Sequence, residues 1–256
     1  MAYFRFTGTS SGKVSPNRFH SSLFLSSEDY NLLIDCGDGT SRSLLKQNIS
    51  FESVDGIIFT HFHPDHFSGF PALIVQMKLS GRKAPLDIFI HKDLKDTALR
   101  FLHQSYLFEE KFGFDFNIRA FEERREVNIH NEFSFIARRN SHLDIYKMYD
   151  KTGEIKFISL SFLFTIDKKN LYYSGDIGSY ADLKLFENEK FEIAICETTH
   201  ISDEELQLLL RNPDLKSLYL THIDENKVEN LQKTCEKLTG EAKRCILAFD
   251  GLSAYL

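Results

Sequence analysis

The chain has 256 residues, 42% of them hydrophobic, enough for one large domain or a two-layer pseudo-repeat around a continuous core. Its 37 acidic and 31 basic residues are interspersed and leave a net charge of −6, which excludes nucleic-acid binding driven by bulk charge. No run approaches the roughly 18 apolar residues of a membrane span, and Met1–Phe6 reads as a first strand instead of a secretory leader, so a cytoplasmic location is expected.

The N-terminal half begins with strands over 3–7 and 21–25 around a Gly/Ser/Pro/Asn loop from Gly8 to Arg18. A strand over 31–36 carries Asp35 at its end, and 40–48 reads as a helix with Leu44 and Leu45 on one face. Residues 55–60 form an apolar strand, followed by the polar run Thr60–His66 and a helix over 67–80. Leu86–His91 is the next strand. A helix over 93–107 follows, with Asp93 as N-cap and Leu94, Ala98, Phe101 and Leu102 at helical spacing.

The C-terminal half has strands over 116–121, 126–129, 133–140, 157–166 and 171–174, then a short helix over 180–187. Strands over 191–196, 216–221 and 245–249 alternate with helices over 203–211 and 224–238. Ser202 and Glu205 have the spacing of a capping box. With 24 phenylalanines and no tryptophan, phenylalanine must supply much of the aromatic core. The four cysteines show no Cys-x-x-Cys spacing, so free thiols are expected. Pattern alone defines a mixed α/β chain.

The densest chemistry is the run His61-Phe62-His63-Pro64-Asp65-His66: three imidazoles and a carboxylate between a buried strand and a helix. Such donors suit zinc, manganese or iron, and a strand end is a rigid place to hold them. This His-x-His-x-Asp-His run resembles the signature of the metallo-β-lactamase-fold hydrolases. Three further landmarks follow that family's order over nearly the whole chain: Leu32–Thr40 around Asp35, Leu171–Asp176, and Leu218–His222. The resemblance implies a single domain over 1–256, folded as a four-layer αββα sandwich.

It also implies a pair of divalent ions, zinc first, with manganese or iron as alternatives. His61, His63 and His142 would hold one ion, Asp65, His66 and His222 the other, and Asp176 would bridge them. His130 competes with His142 for the third imidazole, but it lies in the turn before the strand, and order and spacing favour His142. A water bridging two such ions drops its pKa from about 15.7 toward roughly 7 and becomes the nucleophile as hydroxide, with Asp65 orienting it. Asp35 is expected beneath the histidine loop, fixing an imidazole tautomer. Outside this set, His20, His91, His103, His130 and His200 read as ordinary histidines; His200, closing Glu197-Thr198-Thr199-His200, is flagged as a neighbour of the site.

The opening Gly8-Thr9-Ser10-Ser11-Gly12, with Asn17–Ser22, resembles the ribonuclease Z-type branch, which cuts phosphodiesters. Three departures stand against ribonuclease Z itself. Only 34 positions separate His142 from Asp176, too few for that branch's transfer-RNA-gripping arm. Cys196-Glu197-Thr198-Thr199 replaces its His-Glu-Ala-Thr motif, and Asp224 follows the last histidine where that branch has serine or threonine. The expectation is therefore a phosphodiesterase for a small, cyclic or nucleotide-like substrate, with RNA not favoured. The alternatives are a ribonuclease Z-type RNA 3′ endonuclease, a lactone or thioester hydrolase, and an iron-dependent redox enzyme of the same fold. Glu197, His200 and Asp224 are candidates to support the ions or substrate. Homodimerisation is implied by family analogy; Phe101, Tyr106, Leu107 and Phe108 read first as ordinary core, with a dimer contact or a substrate wall as the alternatives.

Overall fold

Strands with no polar face mark where each sheet is covered on both sides. The computed structural model describes residues 1–240 and 244–256. In chain order, the first elements are β1 (Tyr3–Gly8), β2 (Ser22–Ser26), β3 (Asn31–Ile34), α1 (Thr40–Lys46), β4 (Gly56–Ile58), α2 (Pro64–Phe67), α3 (Phe70–Leu79), β5 (Leu86–His91), α4 (Lys95–Gln104) and β6 (Phe116–Phe121). Then come β7 (Glu126–His130), β8 (Phe133–Arg139), β9 (Leu160–Ile166), β10 (Lys169–Tyr173), β11 (Ile193–Glu197), α5 (Asp203–Leu209), β12 (Ser217–Thr221), α6 (Val228–Leu238), β13 (Arg244–Leu247) and β14 (Ser253–Tyr255). The chain forms two compact units, Met1–Glu122 with Asp250–Tyr255, and Glu123–Phe249 with Leu256. Among the described residues, no helix is long and apolar enough to cross a membrane.

The first unit holds a seven-stranded sheet in the order β14-β1-β2-β3-β4-β5-β6. β3 to β6 are mutually parallel, and β4 (Gly-Ile-Ile) and β5 (Leu-Asp-Ile-Phe-Ile-His) are buried along their whole length, as central parallel strands require. β14 pairs antiparallel with β1, Tyr3 opposite Tyr255. Three residues carry no readable alternation, so this strand has no signature in the sequence. Its approach is fixed by Asp250, whose carboxylate accepts the Thr9 N–H (3.0 Å), the Thr9 hydroxyl (2.7 Å) and the Phe19 N–H (2.7 Å).

Four helices depart from the sequence reading: the one expected over 180–187 is a 3-10 turn at Tyr180–Lys184, and the one expected over 224–238 is a 3-10 turn at Glu225–Lys227 leading into α6, while the other two lie in the first unit. The helix expected over 67–80 is two: α2 starts at Pro64, whose missing N–H costs nothing at a helix start, and α3 follows after Ser68-Gly69. Gly69 passes so close to Gly37 that a Cβ there would lie 2.1 Å from its carbonyl oxygen, and its N–H bonds to the Cys36 carbonyl. The helix expected over 93–107 is a 3-10 turn, Lys92–Leu94, leading into α4. Its cap is the buried His91, which accepts the Asp93 N–H at 3.2 Å, and not Asp93. Tyr106, in the left-handed region at φ 59°, lies beyond the end of α4 and is exposed with Phe101 and Phe108.

The second unit holds the sheet β13-β12-β11-β10-β9-β8-β7. β10 to β13 are parallel; β7 to β10 are antiparallel. Edge strand β7 alternates exposed and half-buried residues, while β11 and β9 are almost wholly buried. Leu206 and Leu209 of α5 and Leu231, Cys235 and Leu238 of α6 pack with Tyr172, Ala194, Cys196, Leu218 and Leu220 of the sheet. The Ser202/Glu205 capping box forms: the Ser202 N–H donates to Glu205 Oε2 (2.7 Å) and the Glu205 N–H to Ser202 Oγ (3.3 Å). All four cysteines are buried free thiols.

Strand direction decides where loops collect. In the first unit β1, β3 and β4 run the same way, so Gly8–Gly12, Asp35 and Thr60–His66 emerge at one edge of the sheet. In the second, β8, β10, β11 and β12 share a direction, which gathers the loops carrying His142, Asp176, Glu197–His200 and His222. The carboxyl ends of parallel strands are the usual ligand-binding edge of α/β sheets.

The first unit also buries a cation. Arg82 is 1% exposed, and its guanidinium donates to the carbonyls of Phe51, Val54 (2.7 Å) and Pro85 (2.6 Å). Removing it would take the donor from the carbonyls of two buried residues, Phe51 and Val54, and from that of Pro85. Arg82→Ala is expected to lower the unfolding free energy by about 3 kcal/mol or more, read from urea melts.

Candidate metal centre

In the first unit, β4 delivers Thr60 onto the carboxylate of Asp35. The Thr60 N–H donates to Asp35 Oδ1 (2.8 Å) and its hydroxyl to Asp35 Oδ2 (2.8 Å). With its proton committed to the carboxylate, the same hydroxyl can only accept from His61 Nδ1, 2.9 Å away. That assigns the His61 proton to Nδ1 and leaves Nε2 with a lone pair. His66 Nδ1 lies 2.7 Å from Asp35 Oδ2 and is assigned the same tautomer, so its Nε2 faces Asp65 Oδ2 at 3.6 Å. Burial pushes the Asp35 carboxyl above its ordinary range, while the His66 and Thr60 bonds pull it down. His61 and His63 offer donor atoms within 4.8 Å of each other, as do Asp65 and His66.

The loop is held in place by its own apolar residues. Phe62 stacks on Phe67 with centroids 3.9 Å apart, and Phe59 packs edge-on against Phe67 (4.9 Å) and Phe70 (5.0 Å). Asp35 takes a left-handed conformation (φ 60°), and the next N–H, of Cys36, bonds to the His66 carbonyl. A Cβ on Gly37 would sit 2.1 Å from the Asp65 carbonyl oxygen, so only glycine fits there.

In the second unit, Asp176 Oδ2 lies 3.7 Å from His142 Nε2 and 3.3 Å from His222 Nε2. Gly175 (φ 58°) makes the bend that delivers Asp176, and His222 itself sits at φ 56°, where a non-glycine residue is strained. A second carboxylate–threonine–imidazole relay backs His222. The Thr199 hydroxyl donates to Glu197 Oε2 (3.0 Å) and accepts from His222 Nδ1 (2.6 Å), leaving His222 Nε2 as the donor atom. Glu197 also accepts the Thr199 and His200 N–H groups (2.6 and 3.0 Å) and lies 2.9 Å from His200 Nδ1. Glu197, His200 and His222 therefore form a third donor group, His200 being its exposed member, with its ring 4.7 Å from that of His142.

Three supports carried no functional reading in the sequence. Thr60 and Thr199 look like ordinary strand-end residues until their carboxylates are in place. Asp182 accepts the Ser141 N–H and hydroxyl (3.1 and 2.7 Å) and the Gly178 and Ser179 N–H groups (2.9 and 3.2 Å), tying the His142 loop to the Asp176 loop. Its signal was available: Ser179-x-x-Asp182 has capping-box spacing, and the box is formed. Asp224 caps the turn Glu225–Lys227 by accepting the Asn226 N–H. Cys196 faces the core, where burial pushes its thiol well above the ordinary range. His130 is exposed on β7, and His103 lies 2.8 Å from Glu109.

Imidazole and carboxylate donors that could hold metal ions lie on the strand-end loops of two mixed sheets, and the fold is the metallo-β-lactamase fold, an α/β sandwich. The metallo-β-lactamase fold protein YhfI from Bacillus subtilis superposes with a TM-score of 0.75 at 19% identity, covering 99% of this chain and 98% of that one. The short form of human tRNase Z gives 0.72 at 21%, covering 98% of both chains. The family described as Anti-Pycsar protein Apyc1 matches residues 2–239, and the chain belongs to it. A ribonuclease Z from Methanothermobacter thermautotrophicus is 38% identical over 119 residues, 46% of this chain and 37% of that protein, so the match spans little more than a third of that relative's length.

The relays make a specific prediction. Thr199→Val keeps the shape but removes the acceptor for His222 Nδ1, and zinc affinity should fall by about 10- to 100-fold in a chelator-competition titration. Thr199→Ser should restore it. Equal affinity in all three proteins would deny the relay any part in holding metal.

Proposed function

We propose that the chain is a phosphodiesterase that uses two divalent ions, zinc first, on a small, cyclic or nucleotide-like phosphodiester. The observation that carries this reading is the donor set. His61, His66 and His222 each have Nδ1 engaged from behind, which turns the Nε2 lone pair outward as a metal ligand needs. With Asp65, His63, His142 and Asp176 they make seven donors, five imidazoles and two carboxylates, a mixture suited to zinc, manganese or iron. In this reading His61, His63 and His142 serve one ion, Asp65, His66 and His222 the other, and Asp176 both.

Two ions so held would supply Lewis acidity toward a phosphoryl oxygen and lower the pKa of water from about 15.7 toward roughly 7. The side chains do the rest. Asp65 Oδ2, on the first turn of α2, accepts a hydrogen bond from the attacking water and aims it. The ideal Cβ position of Gly12 lies 3.3 Å from that oxygen, so a side chain there would crowd it. His200, held by Glu197 and 39% exposed, lies at the mouth of the second unit's donor group, where it can contact substrate.

The smaller substrate follows from what lies between His142 and Asp176: a 3-10 turn at Asp144–Tyr149, then β9 and β10, with no inserted arm. A carboxylate at Asp224, two positions after His222, disfavours a polyanionic RNA backbone there.

The zinc-loaded protein should hydrolyse bis(p-nitrophenyl) phosphate, and Asp65→Asn should cut kcat by at least about 100-fold. Loaded protein that ignores this diester but turns over a lactone or thioester would refute the phosphodiesterase reading. Efficient cleavage of transfer-RNA precursors would refute the small-substrate half.

A further inference from the structure

A cavity of about 540 Å³ opens in the first unit between the β1–β2 loop and α1, within the size range of small-molecule sites. Arg18, His20, Arg42 and Lys46 line it, against a single acid, Asp38. That concentration of positive charge stands out in a chain whose net charge is −6. Arg42 and Lys46 are exposed and four residues apart on α1, hence on one face, and α1 contains no acidic residue to neutralise them.

The opposite wall is pre-set. Asp250 accepts the Phe19 N–H at 2.7 Å and the Thr9 hydroxyl at 2.7 Å, and Thr9 Oγ1 in turn accepts from Arg18 at 2.7 Å. The guanidinium and the Phe19 ring are thus placed before any ligand arrives, with the Lys46 ammonium 5.8 Å from the ring centroid. The cavity also borders the candidate centre: His20 packs against Gly37, and Gly37 against the backbone of Asp65.

We propose that this cavity binds a phosphoryl group other than the one to be cleaved. Two guanidinium forks and an ammonium match the charge and geometry of a phosphate monoester, and an aromatic ring beside them suits the planar part of a nucleotide. The substrate class this implies, a phosphodiester that also carries a terminal phosphate, rests on the phosphodiesterase reading; occupancy of the cavity by phosphate does not.

The two are separated by two measurements. Inorganic phosphate titrated into ¹⁵N-labelled protein should shift the Phe19 and Gly39 amides saturably, and Arg42→Glu/Lys46→Glu, which alters only exposed side chains, should abolish the shifts. Absent shifts, or shifts that survive the double substitution, overturn the site. With thymidine 3′-(p-nitrophenyl phosphate) and its 5′-phosphorylated counterpart, the 5′-phosphate should lower KM by about tenfold, and the double variant should erase the difference. Equal KM values in the unsubstituted protein overturn the substrate class. No turnover of either ester, with the amide shifts intact, overturns the phosphodiesterase reading and leaves the phosphate site standing.

Discussion

A buried carboxylate that commits the proton of a threonine hydroxyl is the constraint on which the candidate centre depends. An imidazole has two tautomers of similar energy, and only one presents a lone pair on the outward nitrogen. Asp35 settles the matter for His61 through Thr60 and for His66 directly; Glu197 settles it for His222 through Thr199. The same arrangement in both units is one solution reached on two sheets. Its cost is two carboxylates, 0% and 1% exposed, each satisfied by backbone N–H groups as well as side chains.

The strands make that solution available. Parallel neighbours bring Asp35 and Thr60 to adjacent ends of β3 and β4, and Glu197 and His222 to adjacent ends of β11 and β12. Left-handed backbone at Asp35 and His222 then turns each side chain at the point where the strand stops. Such conformations are disfavoured for residues with a Cβ and persist where the surroundings over-determine them. Here the Asp35 N–H is bonded to Ile58, the Cys36 N–H to His66, and the His222 carbonyl to the Thr198 hydroxyl.

Much of this was legible in the sequence, for reasons that differ by feature. The buried strands announce themselves because continuous apolar runs such as Ile57–Phe59 and Ile88–Ile90 have few other uses. The histidine run is legible because six residues carry four donors. Asp176 and His222 are single residues with turn-like surroundings, and only the order of landmarks singles them out. Thr60, Thr199 and Asp182 were not legible as functional, because a hydroxyl or a capping carboxylate acquires its role from partners 23 to 41 positions away. The helix break at Ser68-Gly69 escaped for a related reason, since a tertiary contact with the backbone of Gly37 sets it; the break at Leu94 is local, set by the ring of His91 accepting the Asp93 N–H two residues on.

The pairing of β14 with β1, and of Asp250 with Thr9 and Phe19, joins segments far apart in the sequence within one unit. A chain emerging from the ribosome presents β1 to β6 long before residue 250 exists. Until then the first sheet has an open edge at β1, and the loop that passes beside Asp65 lacks its clamp. The unit that carries the histidine run is thus synthesised well before the strand that closes it, and an exposed strand edge during that interval is a site where nascent chains can pair with one another.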